Sequence, residues 1–260
     1  MQALIKAMNH FDSFQHIFIR SVIGWLMAVF FLKNQGISLV GKNQKLLIFR
    51  GLIGSISMFG FFYILTKIPF ASAVAIKYLS PIFATIFAVI SLNEKIKPLQ
   101  WFFFLISFAG VVLLKGFDLR IGIFDLSIGI LSSIFGGLLY VVIRKIGEDD
   151  HHLVILHYFM AISITLSSYF AFSSWKTPNA TEWIGFLAIG TVGFIAQNYF
   201  TKSVQVAEKV SLIANLRYLE AAFAVIIGYF VFNESYAMLS FVGLALIFTG
   251  LLLSIWEKNN

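Results

Sequence analysis

Lys77, Arg217 and Glu220 are ionisable side chains that lie inside long apolar segments of this chain, where charge is costly and often functional. Arg217 and Glu220 are three residues apart, so on a helix they lie about one turn apart and can pair. The three side chains together would offer both signs of charge to a solute that carries a carboxylate and an ammonium group. The pattern predicts a binding site for a small zwitterionic molecule. The alternative is that the long basic side chains only reach the nearest membrane interface.

Polar and aromatic residues in the same segments extend the predicted site, because rings can stack on a planar group or shield a cation. Arg20 is interpreted either as a pocket residue or as an interface residue. Arg50, beside a basic loop, is interpreted as an interface anchor. The predicted substrate-binding residues are Arg20, Lys77, Tyr78, Tyr140, His157, Tyr158, Gln197, Asn198, Asn215, Arg217, Tyr218 and Glu220.

One sequence pattern occurs twice, 140 residues apart. If an odd number of membrane spans separates the two copies, they are upside down relative to each other. Inverted repeats of this kind are typical of transporters that alternate around a central site. The first copy contains Lys77-Tyr78-Leu79, Phe83-Ala84, Asn93-Glu94 and Gly110, and the second contains Arg217-Tyr218-Leu219, Phe223-Ala224, Asn233-Glu234 and Gly250.

The repeat also matches residues with predicted structural roles. Ala84 and Ala88 correspond to Ala224 and Gly228, and small residues four apart let membrane helices approach closely. The Asn-Glu pairs, Asn93-Glu94 and Asn233-Glu234, close their helices. Their carboxylates are predicted to cap the following helix or to bond across the pseudo-two-fold axis. Direct contact with a substrate is the alternative for these carboxylates.

Long apolar segments make up most of the chain. Hydrophobic residues account for 59% of the sequence and charged residues for 12%, about half the charge of a soluble domain. A membrane-spanning helix needs about 20 apolar residues. Continuous rather than alternating apolar sequence favours helices over strands. Nine segments meet the requirement: 14–33, 46–66, 70–92, 98–115, 122–143, 152–172, 183–201, 209–232 and 236–256. The prediction is an all-α polytopic protein of the lipid bilayer with two halves, 1–118 and 119–260.

Basic residues are distributed unequally between alternate connections. Eleven Lys and Arg residues fall on one side and five on the other. Positive residues concentrate in cytoplasmic loops, so the first side, with the C-terminus, is predicted to be cytoplasmic. These loops account for the net charge of +7, and nucleic acid is not a predicted partner.

The two halves, the short connections, the Asn-Glu helix ends and the matched Gly110 and Gly250 resemble the EamA-type drug/metabolite transporter superfamily. The stretch from Arg217 to Glu220 is similar to a bacterial branch that includes S-adenosylmethionine and riboflavin uptake carriers. The resemblance implies an inverted repeat of two five-helix halves. In two places the chain departs from the pattern: Asn-Glu stands where Gly-Glu is frequent, and Ala221 stands where the first half has Pro81.

The segment from Met1 to Asn9 is too short to span a membrane and lacks the layout of a signal peptide. The stretch from Phe14 to Arg20 is similar to the superfamily's second helix. We therefore interpret the first residues as the remnant of a first helix, which would restore two halves of five. The expectation is a truncated gene or a misassigned start codon.

No metal site, cofactor or enzymatic activity is predicted. The chain has no cysteine, and the turn from Glu148 to His152 places acidic and His side chains too close in sequence to converge on one ion. A solvated loop is predicted there. Nucleotide-binding loops, nucleophile elbows and paired-His zinc motifs are absent from the sequence.

The predicted function is secondary active transport of a small polar or zwitterionic organic metabolite across the bacterial inner membrane by alternating access. A proton or a counter-substrate would supply the energy, because the sequence contains no ATPase motif. The branch resemblance implies uptake of a molecule like S-adenosylmethionine. One alternative is export of amino acids or drug-like metabolites, and another is a non-transporting membrane scaffold if the missing first helix is real.

Overall fold

The computed structural model describes residues 4–5, 8, 10–68, 70–115, 122–220, 242–243, 245–250 and 252–253. Within these ranges the secondary structure is helical and contains no strand. The prediction of an all-α protein is confirmed for these residues.

Among the described residues, five helices are long and apolar enough to cross a membrane. They are α1 (Ser13–Asn34), α2 (Gln44–Lys67), α6 (Ile123–Ile146) with the 3₁₀ turn Gly147–Asp149 that follows it, α7 (His152–Ser173) and α8 (Ala180–Val206). The remaining labelled helices are α3 (Phe70–Lys77), α4 (Ser80–Leu92), α5 (Pro98–Lys115) and α9 (Val210–Leu216). A polytopic helical membrane protein accounts for this set.

Two of the nine predicted segments are interrupted in the structure. Segment 70–92 was predicted as one helix, and this is wrong: it consists of α3 and α4, separated by a turn at Tyr78 and Leu79. Segment 209–232 begins with the short helix α9, and a turn at Arg217 and Tyr218 follows it. Residues 221–232 of that segment and part of segment 236–256 lie outside the described residues.

The chain divides into two compact units, and each unit draws on both halves of the sequence repeat. Unit 1 comprises Met1–Thr66 and Val142–Ala207. Unit 2 comprises Lys67–Val141 and Glu208–Asn260. Adding 139 to the bounds of α1 gives the bounds of α7, so these two helices of unit 1 are repeat equivalents.

Within unit 1, the equivalent helices α1 and α7 pack against each other in opposite directions. The ring of Phe14, near the start of α1, stacks on Phe170, near the end of α7, with centroids 4.7 Å apart. Further along α1, the ring of Trp25 stacks on His157, near the start of α7, at 5.9 Å. The contact order is therefore antiparallel.

Glycines let the helices of unit 1 approach closely at two matched contacts. A Cβ atom on Gly190 of α8 would lie 2.7 Å from the Cβ of Ile23 on α1. A Cβ on Gly51 of α2 would collide with the side chain of Ile162 on α7. Adding 139 to Gly51 gives Gly190, and adding 139 to Ile23 gives Ile162. One helix–helix contact therefore occurs twice in the unit.

Unit 2 repeats this arrangement with the matched glycines Gly110 and Gly250. A Cβ on Gly110 of α5 would lie 2.6 Å from the carbonyl oxygen of Gly243. A Cβ on Gly250 would lie 2.7 Å from the carbonyl oxygen of Phe103. Adding 140 to Gly110 and Phe103 gives Gly250 and Gly243, so each contact is the repeat image of the other. The two carbonyl oxygens are backbone atoms, which cannot move aside as a flexible side chain can.

Replacing Gly110 with alanine is expected to destabilise the protein by about 1–3 kcal/mol, because an added methyl group would overlap backbone at a tight helix crossing. The measurement is thermal unfolding of the detergent-purified protein. Gly122→Ala is the matched control, since the nearest atom to its added Cβ is 3.8 Å away. Equal unfolding midpoints for Gly110→Ala and Gly122→Ala would show that the helix crossing has room for a methyl group, which would contradict the prediction.

The predicted small-residue contact can be placed for one of its two copies. Ala84 and Ala88 are fully buried in α4, and a Cβ on Gly137 of α6 would lie 2.7 Å from the backbone nitrogen of Ala84. Ala84 therefore lies where α4 and α6 approach closely. Ala224 and Gly228 lie outside the described residues.

The loop from Glu148 to His152 is in part a structural junction, which corrects the prediction that it is simply solvated. Asp150 is buried, and its carboxylate accepts hydrogen bonds from the backbone N–H groups of Lys42 (2.6 Å) and Asn43 (3.1 Å), just before α2 begins. The His151 ring accepts a hydrogen bond from the Leu153 N–H at the start of α7. Burial and the nearby charge of Lys202 lower the pKa of His151, which keeps the ring neutral for this role. Among the described residues, no group of three His, Asp or Glu could hold a metal ion.

Candidate functional site

The two helix breaks in unit 2 fall at matched positions of the repeat. The first follows Lys77, and α4 resumes at Ser80 with Pro81 as its second residue. Proline lacks the N–H that would continue the α3 hydrogen-bond ladder, so it favours a new helix start. The second break, at Arg217 and Tyr218, has no proline at the equivalent position, where the sequence has Ala221.

Tyr78 and Tyr218, which are repeat equivalents, meet at these breaks. Both side chains are buried, and their ring centroids are 5.9 Å apart. The Tyr218 hydroxyl donates a hydrogen bond to the Tyr78 carbonyl at 3.2 Å. A broken helix leaves backbone carbonyls that need partners inside a membrane, and Tyr218 supplies one.

The charged residues of the repeat gather around the second break. Arg217 Nε lies 3.5 Å from Glu220 Oε2, and Arg217 Nη1 donates to the Tyr140 hydroxyl at 3.3 Å. The positive charges of Lys77 and Arg217 both act on the Glu220 carboxylate. The structure thus brings together six predicted site residues in unit 2, which we call the ionic cluster: Lys77, Tyr78, Tyr140, Arg217, Tyr218 and Glu220.

The side chains of Arg217 and Glu220 are accessible, whereas the tyrosines of the ionic cluster are not. The Arg217 side chain is 31% exposed and the Glu220 side chain 44% exposed. Tyr140 is 1% exposed, so it supports Arg217 from inside the unit. Two cations and one carboxylate can bind the carboxylate and the ammonium of one zwitterion, with each charge facing its opposite.

Asn215 lies two residues before Arg217, at the end of α9. It is 1% exposed, and neither its side-chain oxygen nor its nitrogen has a hydrogen-bond partner among the described residues. A buried amide without partners is costly. Asn215 therefore has donor and acceptor capacity to spare beside the second break.

The other predicted site residues belong to unit 1. Arg20 is buried in α1, and His157 stacks on Trp25 while Tyr158 follows it in α7. Gln197 Oε1 and Asn198 Oδ1 are buried on α8, and no hydrogen bond reaches them from the part of the chain that the structure describes. These side chains belong to unit 1, whereas the ionic cluster belongs to unit 2.

Arg50 was predicted to be an interface anchor, and this is wrong. Its side chain is fully buried in α2, and its guanidinium carbon lies 4.1 Å from the centre of the Phe159 ring. Gly54, one turn later, leaves room for it, since a Cβ there would lie 3.0 Å from Arg50 Nη1. The two glycines that follow Arg50 in the sequence, Gly51 and Gly54, were the signal for this burial.

Glu94 is a helix-end carboxylate that acts on a distant helix in unit 2. It follows α4 and accepts hydrogen bonds from the Val210 N–H (2.6 Å), the Ser211 N–H (3.3 Å) and the Ser211 hydroxyl (2.8 Å). These groups form the start of α9, which ends just before Arg217. Asn93 ends α4 in a left-handed conformation with φ of 54°, which asparagine tolerates better than most residues. Asn233 and Glu234 lie outside the described residues.

Replacing Glu94 with alanine is expected to destabilise the protein by about 1–3 kcal/mol, because the start of α9 loses its acceptor. Glu94→Gln keeps one acceptor oxygen and should lose less. The measurement is the thermal unfolding midpoint, with the exposed loop variant Glu148→Ala as control. A midpoint for Glu94→Ala no lower than that of the control would contradict the capping role.

Comparison with known proteins places this arrangement in a family. The pattern of the EamA-like transporter family matches residues 3–115 and 124–256. The chain belongs to the EamA-like transporter family. A crystal structure of 18% sequence identity superposes with a TM-score of 0.83 over 99% of this chain and 95% of that chain, which shows a shared fold.

Named relatives of this EamA-like chain are transporters. The pseudopaline exporter of Pseudomonas aeruginosa is 27% identical over 95% of this chain and 88% of its own length. The S-adenosylmethionine uptake transporter of Rickettsia prowazekii is 28% identical over 85% of this chain and 74% of its own length. Human solute carrier family 35 member G1 is 28% identical over 74% of this chain and 57% of its own length. The resemblance drawn from the sequence is confirmed, and so is an integral membrane protein with a transporter role.

Proposed function

We propose that this EamA-like protein is a secondary active transporter that moves a small zwitterionic metabolite across the bacterial inner membrane by alternating access. The observation that carries the proposal is the ionic cluster: Arg217 and Glu220 pair beside the second helix break, and Lys77 is the last residue of α3 before the matched first break. Discontinuous helices with charged side chains are a recurrent way to build a solute site in a membrane transporter. Ionisable groups in spans are costly unless they serve such a site.

The proposed architecture is an inverted repeat of two five-helix halves, with the C-terminus in the cytoplasm. Two observations support the inversion, one from each unit. In unit 1 the repeat-equivalent helices α1 and α7 contact each other in antiparallel order. In unit 2 the contact between Gly110 and Gly243 is repeated as the contact between Gly250 and Phe103. Such reciprocity is what a two-fold axis between antiparallel copies produces.

The charges of the ionic cluster favour an amino-acid-like solute. Arg217 is a planar fork suited to a carboxylate, Lys77 adds a second positive charge, and Glu220 offers a partner for an ammonium group. The partly exposed side chains of Arg217 and Glu220 could exchange their mutual contact for contacts with the solute. S-adenosylmethionine carries both kinds of group and a planar ring, and we propose uptake of a molecule of this class.

Export is the second candidate, because the exporter from Pseudomonas aeruginosa aligns over 95% of this chain, against 85% for the uptake transporter from Rickettsia prowazekii. The two directions share the ionic cluster and differ in the sign of the net flux. In either case a proton or a counter-substrate would drive the cycle.

Transport assays with purified protein in vesicles test the proposal. Labelled S-adenosylmethionine, methionine and other amino-acid-like solutes would be measured for saturable flux in both directions, with and without a proton gradient or solute on the opposite side. Flux that is lost in Glu220→Gln supports the proposal, since glutamine keeps the shape of the side chain and removes its charge. No saturable flux of any zwitterion in either direction would sink it and would favour a non-transporting scaffold.

A further inference from the structure

Two arginines are buried in unit 1, and neither belongs to the ionic cluster of unit 2. Arg20 in α1 is 3% exposed and Arg50 in α2 is fully buried. A Cβ on Gly54 would lie 3.0 Å from Arg50 Nη1. Arg20 Nη1 contacts Met58, one turn further along α2, so two like charges are held near each other in an apolar unit. Guanidinium groups keep their charge in proteins. Such a pair is unfavourable without an anion nearby.

The carboxylates of unit 1 do not neutralise these arginines. Asp150 binds backbone N–H groups before α2, and Asp12 and Glu182 bind the N–H groups at the starts of α1 and α8. Glu148 and Asp149 lie exposed in the turn after α6. Among the described residues, therefore, no ion pair includes Arg20 or Arg50.

The hydrogen-bonding capacity of the two guanidiniums is mostly unused. Within the described part of the chain, Nε, Nη1 and Nη2 of Arg50 have no hydrogen-bond partner, and Nε of Arg20 has none either. Arg20 Nη1 contacts the sulfur of Met58, which is a weak acceptor. One face of Arg50 is covered by the Phe159 ring, so a hydrogen-bonding ligand would have to approach in the guanidinium plane.

The repeat shows that this charge is an addition to the shared scaffold. At the repeat distance of 139 that relates α1 to α7, Arg20 corresponds to Phe159 and Arg50 to Ile189. The second half therefore supplies an aromatic surface and no charge at the matched positions. A feature that served only helix packing would not need two buried cations in one half alone.

We propose that Arg20 and Arg50 together bind an oxyanion, a carboxylate or a phosphate, between α1 and α2 of unit 1. Two guanidinium forks match the paired oxygens of such groups better than they match a spherical halide. The nitrogens of Arg50 are buried and have no open space beside them in this conformation. The anion therefore enters a second conformation in which the flexible Met58 side chain leaves Arg20, a step that rests on the alternating-access cycle proposed above.

Two sources of the oxyanion are distinguishable: a free inorganic anion, or the carboxylate of the transported solute. Thermal unfolding of the purified protein in chloride buffer would be followed while phosphate or acetate is added. The unfolding temperature of the wild type is expected to rise with anion concentration until it saturates. In Arg20→Gln and Arg50→Gln, the anion concentration that gives half of this rise should be at least tenfold higher. Competition between methionine and phosphate would identify the solute carboxylate, and stabilisation without competition would identify a free anion.

Lys145 is exposed on α6, so Lys145→Gln is the control. It should need the same anion concentration as the wild type for half of the stabilisation. Arg50→Lys keeps the positive charge and supports folding if the glutamine variant does not fold. It loses the fork and should bind more weakly than the wild type. No saturable stabilisation of the wild type by either anion, or an equal midpoint in the wild type and both arginine variants, would overturn the proposal. This readout does not involve flux, so its failure is separate from failure of the transport proposal.

Discussion

Replacing Arg217 with alanine is expected to reduce transport of the cognate solute by roughly tenfold to more than a hundredfold. The Arg217 guanidinium contacts Glu220 and Tyr140 and is the strongest candidate to bind a solute carboxylate. Hydrogen bonds to charged groups contribute about 1.5–3 kcal/mol, and each 1.4 kcal/mol corresponds to about tenfold. The measurement is initial flux into vesicles that contain equal amounts of folded protein.

Two further variants separate a role in binding from a role in folding. Arg217→Lys keeps the charge and loses the fork, so it should raise the half-saturating concentration more than it lowers the maximal flux. Lys202→Ala, on an exposed residue at the end of α8, is the matched control and should transport normally. Wild-type flux in a folded Arg217→Ala protein would remove Arg217 from the proposed site.

The single-cysteine variants Gln35→Cys and Ser174→Cys are expected to react with a membrane-impermeant thiol reagent from opposite sides of the membrane. Gln35 follows α1 and Ser174 follows α7, and the two residues are repeat equivalents at the 139-residue distance. Both are exposed, and the chain has no native cysteine that would add background labelling. The distribution of basic residues predicts that position 35 is cytoplasmic and position 174 is external.

Labelling is measured on intact cells and on inverted vesicles of the same strain. Each variant should therefore be labelled in one of the two preparations and not in the other. An inverted repeat requires that the two sites exchange their reactivity between the preparations. Reaction of Gln35→Cys and Ser174→Cys from the same side would show that the halves are oriented alike. The proposed alternating-access mechanism would then lose its structural basis.

Much of the fold could be predicted from the sequence because membrane spans have a strong compositional signal. The predicted segments 14–33 and 152–172 differ from α1 and α7 by a residue or less at each end. A membrane excludes charge over a fixed thickness, so the limits of an apolar run and of a helix nearly coincide. The sequence matched Gly110 with Gly250 without predicting their role, and in the structure both lie at close helix contacts.

The helix breaks could not be read from apolar runs. The apolar sequence continues on both sides of Tyr78 and of Tyr218, and only the first break has a nearby proline, Pro81. The second depends on tertiary contacts, including the hydrogen bond from Tyr218 to the Tyr78 carbonyl. Such contacts join residues that are far apart in sequence, so they cannot be predicted from the sequence of one segment alone.

The candidate site could be predicted in part. Charge inside apolar sequence identified Lys77, Arg217 and Glu220, and the structure brings them together in unit 2. The same rule misjudged Arg50, because a position near a helix end allows either an interface contact or an inward one. The choice depends on neighbouring helices: Phe159 on α7 and the space left by Gly54 draw Arg50 inward.

The most direct test of the ionic cluster as an aqueous solute site is the thiol reactivity of the single-cysteine variant Glu220→Cys in the membrane. Leu131→Cys is the comparison, because Leu131 is also about half exposed in unit 2 but lies on the apolar surface of α6. A charged methanethiosulfonate reagent should modify the thiol at position 220 much faster than the thiol at position 131. A zwitterion that the wild type transports should slow only the reaction at position 220, at a higher concentration than the wild type needs, because Lys77 and Arg217 remain to bind its carboxylate. Equal slow reaction at both positions, with no protection by any transported solute, would contradict the account.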